Sequence, residues 1–218
     1  MTSDIAFLDP SIAAYLSAHT TAPSELEQQL IDITQAMPAA QMQIGFAQAR
    51  FMALLARILQ PTMVLEVGVF TGYSALVVAQ ELSDDATLIA CDISEEWTAV
   101  GRPFWAQADV AERIDLRIAP ASETLAALPS DTQVDLAFID ADKTGYLGYL
   151  QQIIPLMHAR SVVLVDNVLW DGQVTDDADH SDDTVALREF NAAMLADDRV
   201  DVALLPIGDG LSMITLAH

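Results

Sequence analysis

Lys143 is the only lysine in a chain of 218 residues that carries 32 acidic and nine basic side chains, and it lies in the stretch FIDADKTGY, between Asp140, Asp142 and a turn. A second stretch, VVLVDN, ends an apolar run on Asp166 and Asn167. Brought together, Asp140, Asp166 and Asn167 offer three hard oxygen donors without imidazole or thiolate. That set suits Mg2+, Mn2+ or Ca2+ rather than zinc or copper. Converging acceptors repel one another without a cation, and Lys143 supplies a single nearby positive charge. Taken singly, each carboxylate reads as a strand-end cap; the combination is what points to chemistry.

Two further signals lie upstream. In EVGVFTGYS, Gly68 and Gly72 let the backbone bend tightly and approach a ligand ahead of a helix N-terminus, although such a turn often serves packing alone. Asp92, twenty residues past Gly72, stands where an acid accepts both hydroxyls of a ribose, or caps the helix opened by SEEW. His19, His158, His180 and His218 are scattered outside any ligand or nucleophile motif. The run TDDADHSDD reads as a solvated loop before a second metal site, and its place after Asn167 makes it a candidate lid. Trp170 either walls a flat substrate or packs in the core, and Met42 reads as core by default.

The elements that must position these residues follow from periodicity. The first 60 residues are helical: SELEQQLIDITQAM opens on a Ser24–Glu27 capping box and places Leu26, Leu30, Ile33 and Met37 on one face. FAQARFMALLARIL places Phe51, Leu54, Leu55, Ile58 and Leu59 at helical spacing and stops at Pro61. Thereafter TMVLEVG, ATLIACD, RIDLRIA, VDLAFID and SVVLVDN are strands alternating with helices, one of which the Gly-Arg-Pro at 101–103 should break or kink. Alternation of this kind means a parallel sheet covered by helices on both faces. A helix near 182–196 precedes RVDVALLP and LSMITLA, joined by IGDG as an antiparallel hairpin. No repeat or linker divides residues 1–218, which read as one α/β domain with the helical segment 1–60 as part of it.

Composition sets the exclusions. A net charge of −23 argues against nucleic acid and anionic membrane surfaces. No apolar stretch is long enough to span a bilayer, and the N-terminus lacks a basic leader with an apolar core. The single cysteine, Cys91, rules out an internal disulfide and a multi-cysteine zinc site, so the expected setting is cytoplasmic.

Together VLEVGVFTGYSA, FIDADKTGYLGY and VVLVDNVLWDGQV resemble the cation-dependent O-methyltransferases related to caffeoyl-CoA O-methyltransferase and, more distantly, catechol O-methyltransferase. The resemblance runs from MQIGFAQARFMALL to GDGLSMITLA. It implies a Rossmann-like S-adenosylmethionine-dependent fold, a seven-stranded mostly parallel sheet with a C-terminal antiparallel hairpin, and a homodimer. It further implies cofactor contacts at Ile44, Glu66, Gly68, Val69, Ser74, Asp92, Ala121 and Asp142. Asp140, Asp166 and Asn167 fall on the family's metal ligands, Lys143 on its candidate general base, and Asp140, Met42, Trp170 and Asp171 on the substrate side. Asp171 replaces the asparagine of plant members, Ala119 replaces a usual glycine, and AQAR replaces a common Gln-Gly. With so few basic residues, a polyanionic coenzyme A thioester fits poorly, and a small catechol-like acceptor is expected. The alternatives are a nicotinamide-dependent oxidoreductase, against which GVFTG lacks a full Gly-x-Gly-x-x-Gly, and a binding module that retains the fold without catalysis.

Overall fold

The computed structural model describes residues 9–218. In chain order the elements are α1 (Pro10–His19), α2 (Glu25–Gln35), a 3-10 turn at Ala40–Met42 and α3 (Phe46–Leu59). They continue with β1 (Met63–Val67), α4 (Tyr73–Ala79), β2 (Thr87–Asp92), α5 (Glu95–Gln107), β3 (Ile114–Ile118), α6 (Ala121–Ala126) and β4 (Val134–Ile139). The chain closes with α7 (Tyr146–Ile153), β5 (Met157–Val165), α8 (Asp182–Ala196), β6 (Val200–Leu205) and β7 (Leu211–Leu216). The seven strands form one sheet in the order β3-β2-β1-β4-β5-β7-β6. β1 to β5 are parallel, and β7 runs antiparallel between β5 and β6. The expected architecture is thus present, with the hairpin at one edge. Among the described residues no helix is long and apolar enough to cross a membrane.

The strands' unbroken apolar runs follow from burial on both faces. Successive residues alternate between two cores: Val64, Leu88, Leu136, Phe138 and Leu164 face the side covered by α2 to α5. Leu65, Val67, Ile139, Val163 and Val165 face the side covered by α6 to α8. Each such leucine, wholly withdrawn from water, stabilises the fold by about 1.5–3 kcal/mol. Strand order reverses between β1 and β4, and that switch opens a crevice at the carboxyl ends, where both key motifs lie.

The N-terminal helices depart from their apolar periodicity. The Ser24–Glu27 capping box forms as expected, but α2 buries Glu27, Leu30, Ile31 and Thr34 and leaves Ile33 exposed. Glu27 tolerates burial because Arg50 of α3 reaches it at 3.2 Å. α3 turns Gln48, Ala49, Met52, Ala53 and Ala56 inward, while Leu54 and Ile58 face solvent. Small alanines let α3 lie close to α4, and that close packing outweighs hiding the larger side chains. The helix through Gly101–Pro103 is not broken: α5 is continuous. Pro103 deprives the Ala99 carbonyl of its partner, but Ala99, Arg102 and Pro103 are exposed, so the lost bond falls on the solvent face, where its cost is least. The opposite face, with Phe104 and Trp105, is buried.

Candidate active site

The first loop, between β1 and α4, is built to lie flat against the end of β4. Gly68 has φ +91°, and a Cβ there would stand 1.8 Å from the Asp140 carbonyl oxygen, so only glycine fits. Gly72, at φ +80°, lies under the Trp105 ring, whose Nε1 donates to its carbonyl at 3.0 Å. Asp92 organises the same loop from β2. Its Oδ2 accepts from the backbone of Val69 at 2.9 Å and Phe70 at 2.8 Å, and its Oδ1 accepts from Ser94 at 2.7 Å. Ser94 caps α5, so Asp92 is not the helix cap. Glu66, at the end of β1, is buried and accepts a hydrogen bond from Ser74. Burial pushes its carboxyl up to about 8, the Ser74 bond opposes this, and Asp140 and Asp92 reinforce it.

The lysine cluster lies across the crevice. The Lys143 ammonium donates to Asp140 Oδ1 at 3.1 Å, to Asn167 Oδ1 at 2.7 Å and to the Tyr146 hydroxyl at 2.6 Å. Lys143 is buried, its nitrogen 4.9 Å from the Tyr146 ring centre and 5.5 Å from that of Trp170. Asp166 is buried beside this group and is pushed up to about 7, first by burial and then by Asp140; Gln48, the Asn167 amide and Lys143 oppose that. Among the described residues no three His, Cys, Asp or Glu side chains gather to hold a metal; the set at the ends of β4 and β5 is two carboxylates and an amide. A hard cation fits that set.

Beyond β5 the backbone turns sharply. Asn167, Trp170 and Asp171 all have left-handed φ, at +57°, +51° and +50°. The hairpin turn holds them: Val168 donates to the Gly210 carbonyl, Leu169 to that of Asp209, and Asp171 to the Asp209 side chain at 2.7 Å. Trp170 is half-buried against the core and also faces Lys143.

The remaining expected residues are more dispersed. Ile44 is half-buried just before α3, and Met42 is 44% exposed on the 3-10 turn rather than in the core. Ala121 opens α6, near the Ala119 amide that bonds to the Asp92 carbonyl at 3.0 Å. Asp142 is exposed and accepts from the Tyr149 hydroxyl at 2.6 Å. Residues that the sequence did not single out also shape the site: Tyr146 beneath Lys143, Trp105 over Gly72, Gln48 beside Asp166, and Asp209. Tyr146 alone left a signal, three residues beyond the lysine on a turn. Of the histidines, His158 pairs with Asp135 at 2.9 Å beside the start of β5, remote from the cluster along the strands. The acidic run does not converge on its carboxylates. The backbone carbonyls of its Asp176 and Asp179, with those of Gln173 and Val174 just before it, close instead on the Arg188 guanidinium.

The chain as a whole is similar to known proteins. A family described as O-methyltransferase matches residues 16–217. The chain is 38% identical to the Dictyostelium discoideum protein named "Probable caffeoyl-CoA O-methyltransferase 2", over 94% of this chain and 91% of that one. It is 35% identical to caffeoyl-CoA O-methyltransferase 2 of Zea mays, over 91% and 80%. Among solved structures, the S-adenosylhomocysteine-bound methyltransferase PaMTH1 of Podospora anserina superposes with a TM-score of 0.86 at 30% identity, over 95% of this chain and 94% of the other.

Proposed function

Because the chain belongs to the O-methyltransferase family and takes its methyl group from S-adenosylmethionine, we propose that it is a divalent-cation-dependent enzyme. Its acceptor is one hydroxyl of a catechol-like or other vicinal-hydroxyl small molecule, such as a phenylpropanoid, flavonoid or specialised metabolite. Family membership speaks against the oxidoreductase alternative, and turnover with a catechol decides against a binding module. One observation carries the proposal: the Lys143 ammonium lies between the oxygens of Asp140 and Asn167, beside the buried carboxyl of Asp166.

Asp140, Asp166 and Asn167 would hold Mg2+, Mn2+ or Ca2+. When bound, the cation supplies Lewis acidity that eases ionisation of an acceptor hydroxyl whose ordinary pKa is around 10. Lys143, fixed by Asp140, Asn167 and Tyr146, acts in either of two protonation states: as the ammonium it places a positive charge where negative charge develops on that oxygen, and as the neutral amine it takes the hydroxyl proton and becomes that ammonium. Trp170 offers a flat face to an aromatic acceptor. On the cofactor side, Ile44, Glu66, Gly68, Val69, Ser74, Ala121 and Asp142 would line the sulfonium donor's place, and Asp92 would accept from its ribose. Holding sulfonium and oxygen in line contributes much of the remaining acceleration.

The chain works as one domain, the N-terminal helices included. We place it in the cytoplasm, which suits its free, buried Cys91. We read it as a homodimer, supported by the exposed Leu54 and Ile58 on α3. A net charge of −23 favours a small catechol over a polyanionic thioester. The test is methyl transfer to a panel of catechols and matched monophenols, with Mg2+ and with EDTA. Transfer to catechols alone, abolished by EDTA and restored by Mg2+, is expected. Transfer indifferent to EDTA would remove the cation from the mechanism.

A further inference from the structure

Helix α8 sends three side chains toward the acceptor side of the site. Asn191 Nδ2 donates to the Val168 carbonyl at 2.8 Å. Phe190 packs edge-on against the Tyr146 ring, with centroids 5.9 Å apart, beneath the hydroxyl that receives a hydrogen bond from Lys143. Arg188 reaches furthest. Its Nε donates to the Val174 carbonyl at 3.0 Å, its Nη1 to Asp179 at 2.7 Å, and its Nη2 to Gln173 at 2.9 Å and to Asp176.

The choice of partners is informative. Asp176, Asp177, Asp179, Asp182 and Asp183 precede this arginine by twelve residues or fewer, yet the guanidinium bonds four main-chain oxygens. The Asp179 carboxylate is taken by Ser181 and Thr184, and that of Asp176 by Ala178. Arg188 therefore fixes the path of the 173–179 backbone. That path begins directly after Trp170, Asp171 and Gly172, three consecutive residues of left-handed φ. Such a run persists only where the surroundings hold it. A planar fork can satisfy several carbonyls at fixed directions, which an ammonium cannot.

We propose that Arg188 is a positioning residue of the acceptor site: by pinning the 173–179 segment it holds the Trp170 ring as one wall of the acceptor pocket, and so sets acceptor affinity and which hydroxyl is methylated. This rests on the O-methyltransferase reading of the site. Arg188→Ala and Arg188→Lys should each raise the KM for a catechol by about tenfold or more and drive the ratio of the two monomethyl products toward equality. kcat should change less, and S-adenosylhomocysteine affinity, measured by calorimetry, should stay within about twofold, because no bond of Arg188 touches the cofactor loop. Unchanged KM and product ratio in an active variant whose 173–179 amides exchange faster would overturn the role of Arg188 alone. Wild-type protein that binds S-adenosylhomocysteine but methylates no catechol would overturn the catechol reading and this role with it. Should the variants not fold, hydrogen exchange of wild-type protein decides: catechol added to the S-adenosylhomocysteine complex should slow exchange across 170–179, and an unchanged rate there refutes the proposal.

Discussion

Glu66 makes stability depend on pH in a direction opposite to that of most carboxylates. Its carboxyl rises from an ordinary 4.5 to about 8 in the folded chain, so between these values the native state holds a proton that the unfolded state has released. Stability therefore falls as pH rises through this window. The slope approaches 1.4 kcal/mol per pH unit for one proton, and the total approaches about 5 kcal/mol above pH 8. Asp166, raised from 3.8 to about 7, adds a fall of the same sign over the lower part of the window. Glu66→Gln keeps an acceptor for Ser74 and cannot ionise, so it removes the Glu66 share while leaving that of Asp166. The assay is urea unfolding at pH 5, 6, 7 and 8 in EDTA. Any constant cost of the added amide cancels, because the reasoning concerns the slope. Wild-type protein should lose roughly 3 kcal/mol more than the variant between pH 5 and 8. Parallel curves for the two proteins would show that Glu66 is ionised in the fold and that its burial has been misjudged.

Lys143→Ala should lower turnover by about a thousandfold while leaving S-adenosylhomocysteine affinity intact by calorimetry; full turnover in the variant would end the assignment of Lys143 to the reacting oxygen. Gly68→Ala asks for a side chain at φ +91° and 1.8 Å from the Asp140 carbonyl, and should destabilise the protein by about 3 kcal/mol or more. The midpoint of its urea transition measures this, and a loss under about 1 kcal/mol would mean that the first loop moves freely off β4.

The gathering of Asp140, Asn167 and Lys143 was legible because hard donors and a lone lysine stand directly after apolar runs, and strand direction alone brings such ends together. The fold was legible for the same reason: β4 and β5 are buried on both faces and read as unbroken apolar segments. The N-terminal helices were misread on their inward faces because large side chains were weighed over small ones. Ala49, Ala53 and Ala56 pack inward by letting backbones approach, and Glu27, Thr34 and Gln48 go inward beside partners far away in sequence. Thr34, for example, meets Thr71 of the cofactor loop at 2.8 Å. Hydropathy records neither closeness nor partnership. Asp209 and Arg188 escaped notice because each acts on backbone atoms of another segment, and main-chain oxygens carry no sequence signature.

The insertion of β7 between β5 and β6 bears on how the enzyme comes into being. β5 is paired on that side only with β7, through Val163 with Ile214 and Val165 with Ser212, and the residues just past the strand hang on the carbonyls of Asp209 and Gly210. During synthesis, β1 to β5 can assemble from the ribosome in order, but the turn carrying Asn167 and Trp170 lacks its bonds to Asp209 and Gly210 until those residues have been made. Closing contacts so distant along the chain are slow to form, and a nascent chain that pauses before them offers an unpaired edge of β5 to its neighbours. The catalytic wall is thus among the last parts of the molecule to exist, and a ribosome-bound intermediate would hold a nearly complete cofactor half without a working acceptor half.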